Sequence, residues 1–182
     1  MQEHSDRSLV ELALHGEHQA FGELVKRYQR SVFNVCYRIV GERQEAEDLT
    51  QETFLRAHDR LKTFDPDRPF GPWIRRVGAN MCLNSLKQRK LTMLPLDEEL
   101  EGSTSKISER PEVAREHAER SEAIRDAILE LPVPYRVVIE LRHFFDLSYK
   151  EIAEVAGLPL SDVKSHLFRA RKLLAERLTV DV

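Results

Sequence analysis

Residues 147–178, LSYKEIAEVAGLPLSDVKSHLFRARKLLAERL, read as two helices joined by a tight turn. Ser148 and Glu151 form the S-x-x-E pattern in which each side chain satisfies a free backbone donor at a helix start. Ile152, Ala153 and Ala156 give this helix an apolar stripe. Gly157 suits its end, because glycine takes left-handed backbone angles without a Cβ penalty. Pro159 blocks continuation. Ser161 is expected to cap the second helix, with Asp162 in its first turn.

On a 3.6-residue period, Val163, Leu167, Ala170, Leu174 and Leu178 share one face of that second helix. Lys164, Ser165, Phe168, Arg169 and Lys172 fall on the other. From 161 to 178 there are five Lys/Arg and two Asp/Glu, a net of +3 in a chain whose net charge is −3. Cations and an outward aromatic on the second helix of such a pair suit the DNA major groove. A solvated basic face on an ordinary terminal helix is the plainer account of the same residues.

Outward from this stretch the chain reads as all-α, with two small helical domains and a flexible acidic linker. The 182 residues hold 41% hydrophobic and 32% charged side chains and only seven glycines. That balance excludes a disordered chain and favours helices. No apolar run reaches the length of a membrane span and no signal peptide opens the chain, so the expectation is a cytoplasmic protein. Cys36 and Cys82 lie far apart without a C-x-x-C and are expected to be buried, reduced thiols. No His/Cys/carboxylate spacing points to a metal, and no phosphate loop is present. No cofactor, small-molecule substrate or catalytic activity is therefore expected.

A short helix over 5–14 is broken at Gly16. Residues 17–40 carry Phe21, Leu24, Val25, Tyr28, Val32, Val35, Cys36 and Ile39 at helical spacing, a core stripe closed by Gly41. In residues 45–61, EAEDLTQETFLRAHDRL, the inward side holds Ala46, Leu49, Thr53, Phe54, Ala57 and Leu61. The outward side holds Asp48, Gln51, Glu52, Leu55 and Asp59. An apolar knob ringed by polar groups is how a docking surface is built; a stray exposed leucine is the alternative.

Residues 63–72, TFDPDRPFGP, hold three prolines and a glycine and are expected to be a loop without regular structure. Residues 73–90, WIRRVGANMCLNSLKQRK, return to helix with five cations and no acid. Trp73, Val77, Asn80 and Asn84 line up at helical spacing. Stacking, cations and amides on one helix suit single-stranded bases; Trp73 in the core beside hydrated asparagines is the other reading.

Residues 91–123 carry nine acids against four bases. The expected division is 1–90 as the first domain, 91–111 as the linker and 112–182 as the second domain. Helix is expected to resume near Pro111 or Glu112 and run to Leu131, where Pro132 and Pro134 interrupt. Residues 135–145 then supply Val137, Val138, Leu141 and Phe144 to the second core.

Four blocks of the chain resemble bacterial RNA polymerase sigma factors of the sigma-70 superfamily, in the extracytoplasmic-function (ECF) group. They are AFGELVKRYQRSVFNVCYRIVG, EAEDLTQETFLRAHDRLKTFDP, FGPWIRRVGANMCLNSLKQRK and LPVPYRVVIELRHFFDLSYKEIAEVAGLPLSDVKSHLFRARKLL. The last block alone also resembles the DNA-binding domain of two-component response regulators. The resemblance implies a specificity subunit that directs core RNA polymerase to promoters and melts them, in a stress or envelope response. It implies contact with the polymerase β subunit and with the β′ clamp helices, the latter through Asp48, Gln51, Glu52 and Leu55. It implies minus-ten DNA contacts by Phe64, Phe70, Trp73, Arg76, Asn80, Asn84 and Lys87, with Phe64 to Phe70 pocketing a flipped base. Lys164, Ser165, Phe168, Arg169 and Lys172 would read the minus-thirty-five element. The linker would thread the polymerase channels, and an anti-sigma factor would hold the protein inactive. The family's aromatic-x-threonine-tryptophan-leucine opening is replaced here by Phe70-Gly71-Pro72-Trp73-Ile74, and His166 stands where arginine is frequent; the role of His166 is open. A stand-alone helix-turn-helix regulator is the rival reading of the same residues.

Overall fold

Ser5 sets the first boundary: its side chain accepts from the Ser8 N–H and caps α1, Asp6–Leu14. The computed structural model describes residues 4–92 and 115–180, and among these there are eight α-helices and no strand. They fall into two compact units divided between Thr92 and Met93. The 91–111 linker and the expected helix start near residue 112 lie, but for residues 91 and 92, outside the described residues.

In the first unit α2 is His18–Val40, α3 is Arg43–Arg60 and α4 is Phe70–Thr92, with a 3₁₀ turn at Leu61–Thr63. These three helices pack on one another, and α1 closes over α2. The core draws on the expected stripes of two helices, Leu24, Val32, Val35 and Ile39 of α2 and Ala46, Leu49, Phe54 and Ala57 of α3, and on Ile74, Ala79 and Leu83 of α4, which the sequence reading does not single out. Burying such side chains is worth about 1.5–3 kcal/mol each before entropy is counted. Thr53 is buried too, and its hydroxyl donates to the Leu49 carbonyl at 2.6 Å, so that hydroxyl is satisfied within its own helix.

Cys36 and Cys82, 46 positions apart in sequence, meet as free, buried thiols between α2 and α4. The hydrogen bond with Cys36, together with burial, pushes the Cys82 thiol up, so it stays protonated.

The expected loop over 63–72 is shorter than its prolines suggest. Helix α4 begins at Phe70 and includes Gly71 and Pro72. A proline in the first turn loses no intrahelical bond, because the N–H it lacks has no acceptor there. The first turn also brings Gly71 close to Tyr28: a Cβ at residue 71 would lie 2.8 Å from the tyrosine ring. Tyr28 is fixed from its other end by a hydroxyl donated to Asp6 of α1.

The second unit contains α5 (Arg115–Leu129), α6 (Val133–His143), α7 (Tyr149–Ala156) and α8 (Leu160–Val180). Pro132 is the N-cap of α6 and Pro134 lies in its first turn, so the two prolines start a helix rather than separate two. Residues 136–141 of α6 are all buried, and Arg136 donates to the Leu129 carbonyl at 2.7 Å across the turn from α5. Phe144, expected in the core, is 50% exposed. It follows the end of α6, where the chain turns through Asp146 at φ 52°, and Ile139 fills the core instead.

Helix α7 carries the full reciprocal cap: Glu151 N–H donates to Ser148 Oγ at 3.3 Å, and Ser148 N–H to Glu151 Oε2 at 2.8 Å. Gly157 ends it in the left-handed conformation, φ 66°. Helix α8 starts two residues earlier than a cap at Ser161 implies, at Leu160. The Pro159 carbonyl accepts from the Asp162 and Val163 N–H groups, so Ser161 is inside the helix and its hydroxyl bonds Asp162 at 3.2 Å.

Candidate functional surfaces

Three surfaces follow from these helices. The first is the outward side of α3. Asp48, Gln51, Glu52, Leu55 and Asp59 are all exposed, and Leu55 stands 69% exposed among them. The N-terminus of this helix is held by Glu42, whose carboxylate accepts from the Gln44 and Glu45 N–H groups at 2.8 and 2.6 Å. Those bonds hold the Glu42 carboxyl below the usual carboxylate range. Beside Leu55 a groove of about 530 Å³ opens between α2 and α3, lined by Phe21, Val25, Phe54, Leu55, Gln51 and His58 among others. The sequence reading missed this groove, because it pairs the face of one helix with residues of another. The signal available was Val25, which α2 carries at its half-buried edge.

The second surface belongs to α4. Arg76, Asn80, Asn84 and Lys87 are exposed along one side. Trp73 is half-buried, its ring 4.8 Å from that of Phe64 and 5.4 Å from that of Phe70. Here two expectations need correction. Phe64 is 7% and Phe70 1% exposed, so neither offers a ring face to a base. They pack edge to face at 5.6 Å, and Tyr28 closes the cluster at 5.4 Å from Phe70. The physical reason is that the intervening residues supply no other apolar anchor, so burying the two rings is what gives the turn its shape. In the turn itself, Asp65 accepts from the Asp67 and Arg68 N–H groups, and Arg7 of α1 reaches Asp67 at 3.1 Å. Burial and the Asp6 contact push the Tyr28 phenol up to about 12, so it remains a donor across the ordinary pH range.

The cations of α4 are not equivalent. Arg89 lies 2.6 Å from Glu45 of α3, whose other oxygen accepts from Ser85 at 3.0 Å. Glu45 is mostly covered, so this ion pair ties the two helices together and neutralises one charge of the basic side.

The third surface is the outward side of α8. Val163, Leu167 and Ala170 are buried, while Lys164, Phe168, Arg169 and Lys172 are exposed and Ser165 is half-buried. Phe168 is 70% exposed. His166, whose role the sequence left open, is half-buried with its ring 5.3 Å from that of Tyr135 on α6. Arg169 donates toward the Tyr135 hydroxyl at 3.5 Å.

Among the described residues no group of three or more His, Cys, Asp or Glu could hold a metal, and no helix is long and apolar enough to cross a membrane. The two units match known families separately. Residues 24–92 match the family described as Sigma-70 region 2, and residues 121–174 that described as Sigma-70, region 4. Across both, the chain is 34% identical to the ECF RNA polymerase sigma factor SigW of Bacillus subtilis, covering 90% of this chain and 91% of that protein. The chain belongs to the ECF group of RNA polymerase sigma factors. It is also 33% identical to the ECF sigma-E factor of Escherichia coli, over 93% of this chain and 92% of that one. Among solved structures it resembles CnrH in complex with the cytosolic domain of CnrY, at 28% identity and TM-score 0.54, over 97% of this chain and 99% of that one. The sigma factor RpoE of Bartonella quintana, solved with the anti-sigma factor NepR, shares the fold at 19% identity and TM-score 0.58, covering 89% and 98% of the two chains. This sigma factor directs core RNA polymerase to promoters and initiates transcription there. Its family is one of initiation factors that are generally not enzymes.

Proposed function

We propose a division of labour among the three surfaces. Asp48, Gln51, Glu52 and Leu55 of α3 dock on core RNA polymerase, against the β′ clamp helices. Arg76, Asn80, Asn84 and Lys87 of α4, with the exposed edge of Trp73, hold unpaired bases of the minus-ten element. Phe64 and Phe70 act from below by fixing the turn that precedes α4. Lys164, Ser165, Phe168, Arg169 and Lys172 of α8 read the minus-thirty-five element as duplex. The observation that carries this reading is the pair of exposed apolar side chains, Leu55 and Phe168, each on the outward side of its helix and each set among charges of one prevailing sign.

The mechanism follows from the chemistry of the surfaces. Cations on α8 hold phosphates and set register, while Phe168 and Arg169 meet base edges in the major groove. Bases leaving the stack cost a few kcal/mol each, offset by stacking and amide contacts on α4. The chain supplies no catalytic step of its own; bond formation stays with the polymerase. Its place of action is then the cytoplasm, where the polymerase works. A regulatory protein partner of the anti-sigma kind is supported by the RpoE of Bartonella quintana, which was solved with the anti-sigma factor NepR.

Pull-down with core RNA polymerase, followed by run-off transcription on genomic DNA, tests the reading. Stable association and new start sites are expected. Tight duplex binding by the chain alone, without association, would instead favour a stand-alone regulator and make the α3 surface a dimer or ligand face.

A further inference from the structure

The reading face of α8 is supported by a residue that lies on another helix. Tyr135 stands in the first turn of α6, between Pro134 and the buried run 136–141. Pro132 caps this helix, and the Arg136 bond to Leu129 ties its start to the end of α5. The backbone under Tyr135 is therefore held on both sides. Tyr135 itself is half-buried. Its ring meets His166 at 5.3 Å, with the planes inclined at 57°. Its hydroxyl accepts from Arg169 Nη1 at 3.5 Å. One phenol thus touches two neighbours on α8, three positions apart and one on either side of Phe168 and Leu167.

Arg169 and Lys172, both exposed, are held differently. Lys172 reaches Glu176 on its own helix at 4.0 Å, a pairing internal to α8. Arg169 is exposed and would otherwise be a long side chain with many rotamers, yet it is directed to a fixed acceptor on α6. A guanidinium has five donors, and one used on Tyr135 leaves a fork for a base edge. The hydrogen bond also favours the charged guanidinium, raising its pKa further. Ordering such a side chain before binding removes part of the entropy that binding would otherwise cost.

We propose that Tyr135 is a positioning residue for promoter reading, which presets Arg169 by hydrogen bond and His166 by ring packing. It rests on the assignment of Arg169 to the minus-thirty-five element made above. Tyr135 makes no base contact in this account. It decides how sharply Arg169 discriminates, not whether the protein binds.

The test uses holoenzyme reconstituted with core RNA polymerase and a duplex promoter library randomised across the upstream element. Four proteins are compared: the native chain, Tyr135→Phe, Arg169→Ala and the double variant. Phenylalanine keeps the ring on His166 and removes only the hydroxyl, and a thermal melt checks that the fold is retained. Arg169→Ala should flatten the preference at one base pair. Tyr135→Phe should weaken the preference at that same base pair about two- to tenfold, the size expected for ordering one long side chain. Preferences elsewhere should be unchanged, and the double variant should be no worse than Arg169→Ala. Should Tyr135→Phe keep the full preference while Arg169→Ala loses it, positioning by Tyr135 is wrong and the role of Arg169 stands. A uniform loss across all sequences would also overturn it, since that marks general packing or a phosphate contact. If Arg169→Ala leaves every preference intact, the assignment of Arg169 falls and this inference with it.

Discussion

Leu55 on α3 and Phe168 on α8 are almost equally exposed, at 69% and 70%, yet their surroundings have opposite sign. Helix α3 carries five Asp/Glu and three Arg, with Asp48, Glu52 and Asp59 on the side of Leu55. Helix α8 carries five Lys/Arg and two Asp/Glu, with Lys164, Arg169 and Lys172 on the side of Phe168. An exposed apolar side chain supplies contact energy wherever it is covered. The charges around it decide what approaches: carboxylates turn away a polyanion and admit a protein, while cations gather phosphates. One chain can thus present two sticky points without either taking the other's partner.

The comparison breaks most visibly at Leu55. Leu55→Ala combined with Asp48→Ala should abolish stable association with core polymerase, a loss of at least about 2 kcal/mol if Leu55 is a central anchor. Circular dichroism should show the helices retained. Holoenzyme that forms normally on gel filtration would remove this side of α3 from the docking surface.

On the basic side the effects divide. Arg169→Ala should reduce discrimination at one base pair by about 1–3 kcal/mol. Lys164→Gln with Lys172→Gln should leave preferences alone and lower the salt slope of holoenzyme–promoter binding by about 2, near 0.9 per phosphate contact. A loss of sequence preference in the lysine variant would merge the two roles that the comparison keeps apart.

Glu45→Gln sharpens the contrast from inside the first unit. It removes a mostly covered carboxylate that holds Ser85 and Arg89, so the expected cost is about 1–2 kcal/mol of stability, read by thermal unfolding. The same change removes the Glu45 charge from beside Arg89, and binding of single-stranded DNA by holoenzyme should become more dependent on salt. An unchanged melting midpoint would show that α3 and α4 are held by apolar packing alone.

The smallest effect is one of pH. Burial, with Arg171 and Arg142 nearby, lowers the pKa of His143. The unfolded chain therefore takes up this proton first as the pH falls. The contribution is full above about pH 6.5 and is lost as the pH falls through the depressed folded value. His143→Gln should flatten that dependence in urea melts between pH 5 and 8, values chosen around the ordinary imidazole range. An unaltered profile would assign the dependence to other groups.

Local chemistry made much of this legible in the sequence. Ser148, Glu151 and Gly157 act within four residues of their partners, so a linear string reveals them. The stripes of α2, α3 and α8 repeat at the helical period, so Val163, Leu167 and Ala170 declare their burial. What the string hid depends on neighbours far along the chain. Phe64 and Phe70 look like available rings until Tyr28 and Trp73 are set around them. Phe144 fits the α6 period, but the helix stops at His143 and the turn carries the ring outward. Pro72 and Pro134 read as breaks because a proline's tolerance depends on its distance from a helix start that was itself to be found. The groove at Leu55 and the support of Arg169 by Tyr135 each join two helices, and no periodicity within one helix contains them.

The contact between Gly71 and Tyr28 has a consequence for how relatives can differ. The phenol is pinned by Asp6, so its ring cannot swing aside to admit a side chain at residue 71. A larger residue there is compatible only with a smaller one at 28, or with loss of the acid at 6. Positions 6, 28 and 71 should therefore vary as a set across the ECF group. Sequences that keep tyrosine and acid should keep glycine, and those with a bulkier residue at 71 should have changed at 28 or at 6.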